Sequence, residues 1–189
     1  MTATFASQRQ ATLDFLTARG TAATPHIFGD LLAHLVGVEA LTRRWGGSDR
    51  LALVALGHAT YGTDGFAPSI LELADRPLLA SLIGPEAEAL VYFYASCDRD
   101  HFYPQLEDPA GQLSGLEFRD RFTGQVSTPE ADALTVFMDL TYANEVELAA
   151  ASPGGPAEWT WLRDFCLRTQ RWASPAVATG ALALLDPAA

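Results

Sequence analysis

The chain has 189 residues, 49% apolar and 19% charged, which is expected of one globular domain, residues 1–189, with a full core. Acidic residues outnumber basic ones 23 to 12, a net charge of −11, which argues against nucleic acid or an anionic membrane as the main partner. All 12 cations are arginine. Without lysine there is no Schiff-base chemistry, no pyridoxal phosphate attachment and no P-loop nucleotide site, so a bound anion must be held by Arg, backbone amides or a metal.

In chain order the pattern is helical nearly throughout. A first helix over residues 4–18 stops at Gly20, and a loop covers 21–29, where Pro25 turns Thr24 out of helical geometry. Helix two runs from an Asp30 N-cap to Trp45 and ends at Gly46-Gly47. Helix three begins after Ser48 and ends near Tyr61, followed by the turn-rich segment GTDGFAP. Ser69 is read as the cap of a short helix through Ala74, with another over 77–83. Gly84-Pro85 then opens a longer helix, PEAEALVYFYASCD. Residues 104–127 are the least regular stretch, with short strands at 116–119 and 122–126 as a small hairpin, either a pocket edge or a plain connection. Ser127 with Glu130 fits a capping box for PEADALTVFMDLTYANEVELAAA, which is apolar on most faces and expected to be central. After SerProGlyGlyPro come two closing helices within 156–186; the last, AVATGALALL, suits either the core or a homo-oligomer interface.

Cys97 and Cys166 stand far apart with no CxxC spacing, and read as buried thiols in a reducing compartment. No basic segment with a continuous apolar run opens the sequence, and no run is long enough to span a bilayer, so the expected location is cytoplasmic.

Two histidines carry the functional reading. His34 shares a helical face with Leu31, Leu35, Val38 and Leu41; His58 shares one with Leu51, Val54, Ala55 and Tyr61. Two inward imidazoles on adjoining antiparallel helices make either a satisfied polar pair in the core or the start of a metal site. Asp139 lies among Val136, Met138, Leu140 and Ala143, so its carboxylate must be protonated, bound to metal, or satisfied by an Arg or a hydroxyl such as that of Thr135. His26, in the loop before helix two, is either a surface residue or a further ligand, base or substrate contact. His101 in DRDHFY reads as a surface residue at a helix end, complementing the dipole.

A histidine in one helix, a second at the end of the next and an aspartate in a late helix resemble the HD-domain superfamily. The chain looks most like a small HD-like family of no settled activity, in HLVGVEALTRRWG (34–46), GHATYGTDGF (57–66), DR (75–76), IGPEAEALVY (83–92), RFTG (121–124) and ANEVE (143–147), a core of about residues 22–150. The resemblance implies an all-α, HD-like bundle and metal-dependent chemistry. It maps His34 onto the first histidine, His58 onto the histidine of the HD pair and Asp139 onto the late aspartate. Ala59 stands where the pair's aspartate belongs, so a standard dinuclear site is in doubt. Two imidazoles and one carboxylate, with His26 as a fourth candidate, suit one divalent transition metal: Fe, or less selectively Mn, Co or Zn. Around it, Tyr61 and Asp64 are candidate proton carriers, Arg76 and Arg121 candidate anion holders, and Asn144 a supporting polar group. Trp159 and Trp161 are expected to pack the closing helices. Three functions follow: a metal-dependent enzyme on a small, anionic molecule, with hydrolysis favoured by the resemblance; a mononuclear non-heme iron oxygenase; or a non-catalytic ligand-binding or interaction domain.

Overall fold

The computed structural model describes residues 4–186 and is mostly helical, with nine α-helices and two two-stranded hairpins among the described residues. No helix among them is long and apolar enough to cross a membrane. The chain divides into two compact units, the first ending at Ala95 and the second beginning at Ser96.

In the first unit, α1 (Phe5–Ala18) is followed by a hairpin of β1 (Pro25–His26) and β2 (Gly29–Asp30), paired antiparallel with Ile27-Phe28 at its tip. The sequence reads this stretch as loop, because strands of two residues leave no periodicity to detect. Asp30 caps α2 (Leu31–Arg44) as expected, accepting the Ala33 N–H at 2.9 Å. The turn into α3 (Asp49–Gly57) depends on its glycines. Gly46 has φ 80°, and a Cβ on Gly47 would lie 2.7 Å from the Thr42 carbonyl oxygen. Ser48 then caps α3 through the Leu51 N–H.

Two expectations about helix ends are corrected here. Helix three stops at Gly57 and not near Tyr61; His58 is its C-cap and a chain of turns follows. The short helix over 69–74 does not form, because the Ile70 and Leu71 amides both donate to the Thr60 carbonyl. A single 3₁₀ turn, Leu73–Asp75, leads instead into α4 (Arg76–Ile83) and then α5 (Pro85–Ala95). The α5 helix ends earlier than its apolar pattern suggests. The next residues are taken up by the second unit, where Ser96 accepts the Arg121 N–H and Cys97 bridges Asp120.

The second unit opens with α6 (Arg99–Glu107), capped by Asp98 and containing Pro104, which runs into the stretch from residue 104 that the sequence shows as irregular. A hairpin does form here, but from β3 (Phe118–Arg119) and β4 (Val126–Ser127). The expected strand over 122–126 is lost because Asp120 accepts the Phe122 and Thr123 amides and folds those residues into the turn. Ser127 therefore belongs to β4, and the expected capping box is replaced by a Glu130 N-cap with no side-chain bond. The long α7 (Ala131–Ala151) is buried on most faces, as its composition requires. It packs with α9 (Pro175–Leu184), which buries Val177, Ala178 and Ala181 and so completes this unit's core, and α8 (Thr160–Thr169) packs on α6 and α9. Trp159 and Trp161 stack on each other, and Trp161 is largely exposed rather than packed.

Candidate functional site

The first unit gathers three of the histidines singled out by the sequence. Capping by Asp30 fixes the start of α2, which puts His34 on the buried face with Leu31, Leu35 and Val38. At the end of α3, Gly57 lets the helix approach α5: a Cβ there would sit 3.3 Å from Val91 Cγ2. His58 follows immediately, 2% exposed, and its Nδ1 lies 2.7 Å from the Ala55 carbonyl oxygen. A carbonyl only accepts, so Nδ1 carries a hydrogen and the ring orientation is fixed. That arrangement also orients metal-bound histidines.

The rings form a row. His34 and His58 meet edge to face, with centroids 5.3 Å apart and planes at 74°. His58 in turn meets Tyr94 at 5.7 Å. On the other side His26, brought in by β1, stacks on His34 at 4.1 Å and 21°, and its edge meets Phe66 at 4.9 Å. His34 and His58 are buried; His26 is half-buried and leads to the exposed hairpin tip of Ile27 and Phe28.

The geometry separates the two contacts. Two imidazoles sharing one ion at about 2.0–2.1 Å and a tetrahedral angle hold their ring centres roughly 5 Å apart. The His34–His58 centroid separation of 5.3 Å is close to that figure. The His26–His34 pair, stacked at 4.1 Å and 21°, is closer than that figure. Among the described residues, no group of three or more His, Cys, Asp or Glu side chains is arranged to hold an ion. Ala59, at the expected aspartate position, is packed with Leu16, Leu31, Leu35 and Leu56 in an apolar cluster.

The residues after His58 have partners of their own. The Tyr61 hydroxyl donates to Glu88 Oε1 at 2.8 Å, and Arg76 holds the same carboxylate in a fork at 2.7 and 3.0 Å. The Arg76 guanidinium also lies 3.8 Å above the Tyr92 ring. Burial, then the hydrogen bond to Glu88, push the Tyr61 phenol far above its usual range, so it is a donor at neutral pH. Asp64 occupies the tight turn Asp64-Gly65, closed by reciprocal bonds between Thr63 and Phe66 of 2.8 and 3.0 Å.

The remaining candidates belong to the second unit. Asp139 accepts from the Ser174 amide at 2.8 Å and from the Ser174 hydroxyl at 2.5 Å, and thereby anchors the N-terminus of α9. The hydroxyl reading of Asp139 is met, with Ser174 in place of Thr135, whose own hydroxyl donates to Ala131. Burial raises the Asp139 carboxyl above its ordinary range, and the two Ser174 bonds pull it part of the way back. Asn144 donates to Glu145, and Arg121 lies exposed over the Phe122 ring. His101 sits in the first turn of α6, beside the Arg119 guanidinium, so it is at the wrong end of its helix to complement the dipole.

Sequence reasoning passed over two buried carboxylates, Glu39 and Glu88. Glu39, 3% exposed, is gripped by Arg9 through two bonds of 2.7 Å. Both carried a signal: Glu39 falls in helical register with Leu35 and Thr42, and Glu88 with Val91 and Ala95, on the inward faces of their helices.

No curated protein and no solved structure matches the chain. Residues 15–99, the stretch that contains His26, His34 and His58 together with Tyr61, Arg76 and Glu88, are similar to a domain of unknown function, DUF6817.

Proposed function

We propose that this protein is a metal-dependent enzyme of HD-like fold acting on a small molecule, with His34 and His58 as the protein ligands of one divalent ion. The observation that carries this is the His34–His58 contact at 5.3 Å, with the His58 ring oriented through Nδ1 by the Ala55 carbonyl. A bound ion would supply Lewis acidity, activating water for hydrolysis, or oxygen chemistry if the ion is iron. Hydrolysis is the first choice, on the superfamily resemblance. The protein's own part is to hold the two imidazoles buried, to orient the His58 ring through the Ala55 carbonyl, and to flank His34 with the His26 ring. Asp139, bound at both oxygens by Ser174, is assigned to α9 and not to the ion.

A second reading, a non-catalytic HD-like domain, is favoured by one observation: Ala59 belongs to a leucine cluster, with no ligand at that position. Metal analysis of anaerobically purified protein separates the two. About one equivalent of metal, lost in both His34→Ala and His58→Ala, supports the enzyme. Iron moves the reaction towards oxygenation, and zinc, manganese or cobalt towards hydrolysis. No metal after reconstitution of folded protein leaves the binding domain.

A further inference from the structure

We infer that the first unit carries a second site, a cavity that takes a small uncharged molecule with an apolar body and an amide head, read by the side-chain amide of Gln8. The cavity shares no residue with the histidine row, and the inference does not rest on the metal reading.

The cavity, of about 400 Å³, opens between the start of α1, the start of α3 and the junction of α4 with α5. Small-molecule sites occupy roughly 300–1,000 Å³. Its floor is apolar, formed by the buried side chains of Leu53, Ile83 and Ala87. Phe5 forms one wall, with the Arg43 guanidinium 4.6 Å from its ring centre. The chain reversal between α4 and α5 passes through Gly84 at φ 89°, a conformation that keeps this position free of a side chain. Gln8 Nε2 lies 3.8 Å from where a Cβ of Gly84 would stand, so the amide borders the space that the glycine leaves.

Gln8 is the informative residue. It falls in helical register with Thr12 and Leu16, the buried residues of α1, and so belongs to the inward stripe of that helix. Leucine there would fill space and bury methyl groups; an amide does neither, and such departures from the packing rule mark functional positions. The Gln8 carbonyl takes the Thr12 hydroxyl at 2.8 Å, but the Gln8 side chain makes no hydrogen bond among the described residues. It is half-buried, and it offers two N–H donors and one acceptor at the edge of an apolar floor. An amide head returns both kinds of bond.

Charge selects the uncharged molecule. Asp49 is paired with Arg43 at 3.1 Å, and Glu86 and Arg50 line the cavity with opposite signs, so the lining and its partner carry no net formal charge. A carboxylate or ammonium head would shed water above Leu53, Ile83 and Ala87 without a net opposite charge to meet it.

The test is a titration of the full chain with benzamide and with hexanamide, followed by ¹H–¹⁵N NMR. Each is compared with its carboxylate and amine counterparts, benzoate and benzylamine, hexanoate and hexylamine. At least one amide should give saturable shifts centred on the Leu53, Ile83, Gly84 and Ala87 amides, and bind about fivefold or more tightly than either charged counterpart. Gln8→Leu should weaken that amide by about fivefold while raising the melting temperature by about 2 °C, since a packed leucine stabilises where a ligand-reading amide does not. Gln8→Glu, of the same shape but without the N–H donors, should weaken it similarly and serves if Gln8→Leu does not fold. Neither amide shifting the cavity residues overturns the inference. Equal affinity for the charged counterparts overturns the uncharged class, and undiminished binding in a folded Gln8 variant removes Gln8 from the site.

Discussion

Removing the Glu88 carboxylate should be among the most damaging single changes in the first unit, and its cost can be assembled from the structure. In Glu88→Ala the Tyr61 hydroxyl, on a residue 4% exposed, loses its charged acceptor. An unsatisfied buried donor costs about 1–3 kcal/mol. The Arg76 side chain is 34% exposed, so its guanidinium can turn to solvent while keeping part of its contact with Tyr92. Its share is therefore nearer the roughly 0.5–1 kcal/mol of a solvent-screened pair than the several kcal/mol of a fully buried one. Lost methylene burial adds about 0.8 kcal/mol. The expected total is about 3 kcal/mol, a large part of the roughly 5–15 kcal/mol that holds a typical domain folded. Urea unfolding at neutral pH, read by circular dichroism, should show a lower midpoint at an unchanged slope. Glu88→Gln keeps an acceptor for Tyr61 and should lose about half as much. In the double variant with Tyr61→Phe, the two costs should fall short of additivity by about 1 kcal/mol. A Glu88→Ala protein within about 0.5 kcal/mol of the parent, a change typical of plain surface substitutions, would refute the reasoning.

Three further outcomes are expected. Because the folded state raises the Asp139 carboxyl above its ordinary value of 3.8, that group favours folding below this pH and loses its contribution as pH rises through the folded pKa. Asp139→Asn, which can still bond Ser174 at both atoms, should gain stability relative to the parent as pH climbs from 3.5 to 7, roughly the span that covers such a shifted carboxyl; a constant difference between their melting temperatures contradicts this. Cys166 is fully buried and its thiol is pushed up to about 12, so iodoacetamide should leave it unmodified in native protein and label it only after denaturation, by mass spectrometry. Ala59→Asp places a carboxyl among four leucines and should cost about 3 kcal/mol or more without improving metal affinity. A variant as stable as the parent that binds Co(II) more tightly would show that position 59 faces the site and not the cluster.

What the sequence determined by itself is local or periodic. Asp30 and Ser48 cap α2 and α3 through amides three residues away, and Gly46 ends α2, all within the reach of one helical turn. The inward direction of His34, His58 and Asp139 follows from their spacing to apolar neighbours, and all three are buried. The tertiary structure decided who meets whom. Glu88 takes Arg76 from 12 residues away and Tyr61 from 27, and Asp139 takes Ser174 from 35. No pattern in the chain encodes such pairings, because a buried charge accepts whichever donor the packing delivers. The same holds for His26. Its loop carries no strand signal, yet a two-residue hairpin turns its ring flat against His34. Spacing gave two inward histidines; only packing brought His26 flat against His34 while His34 and His58 meet edge to face.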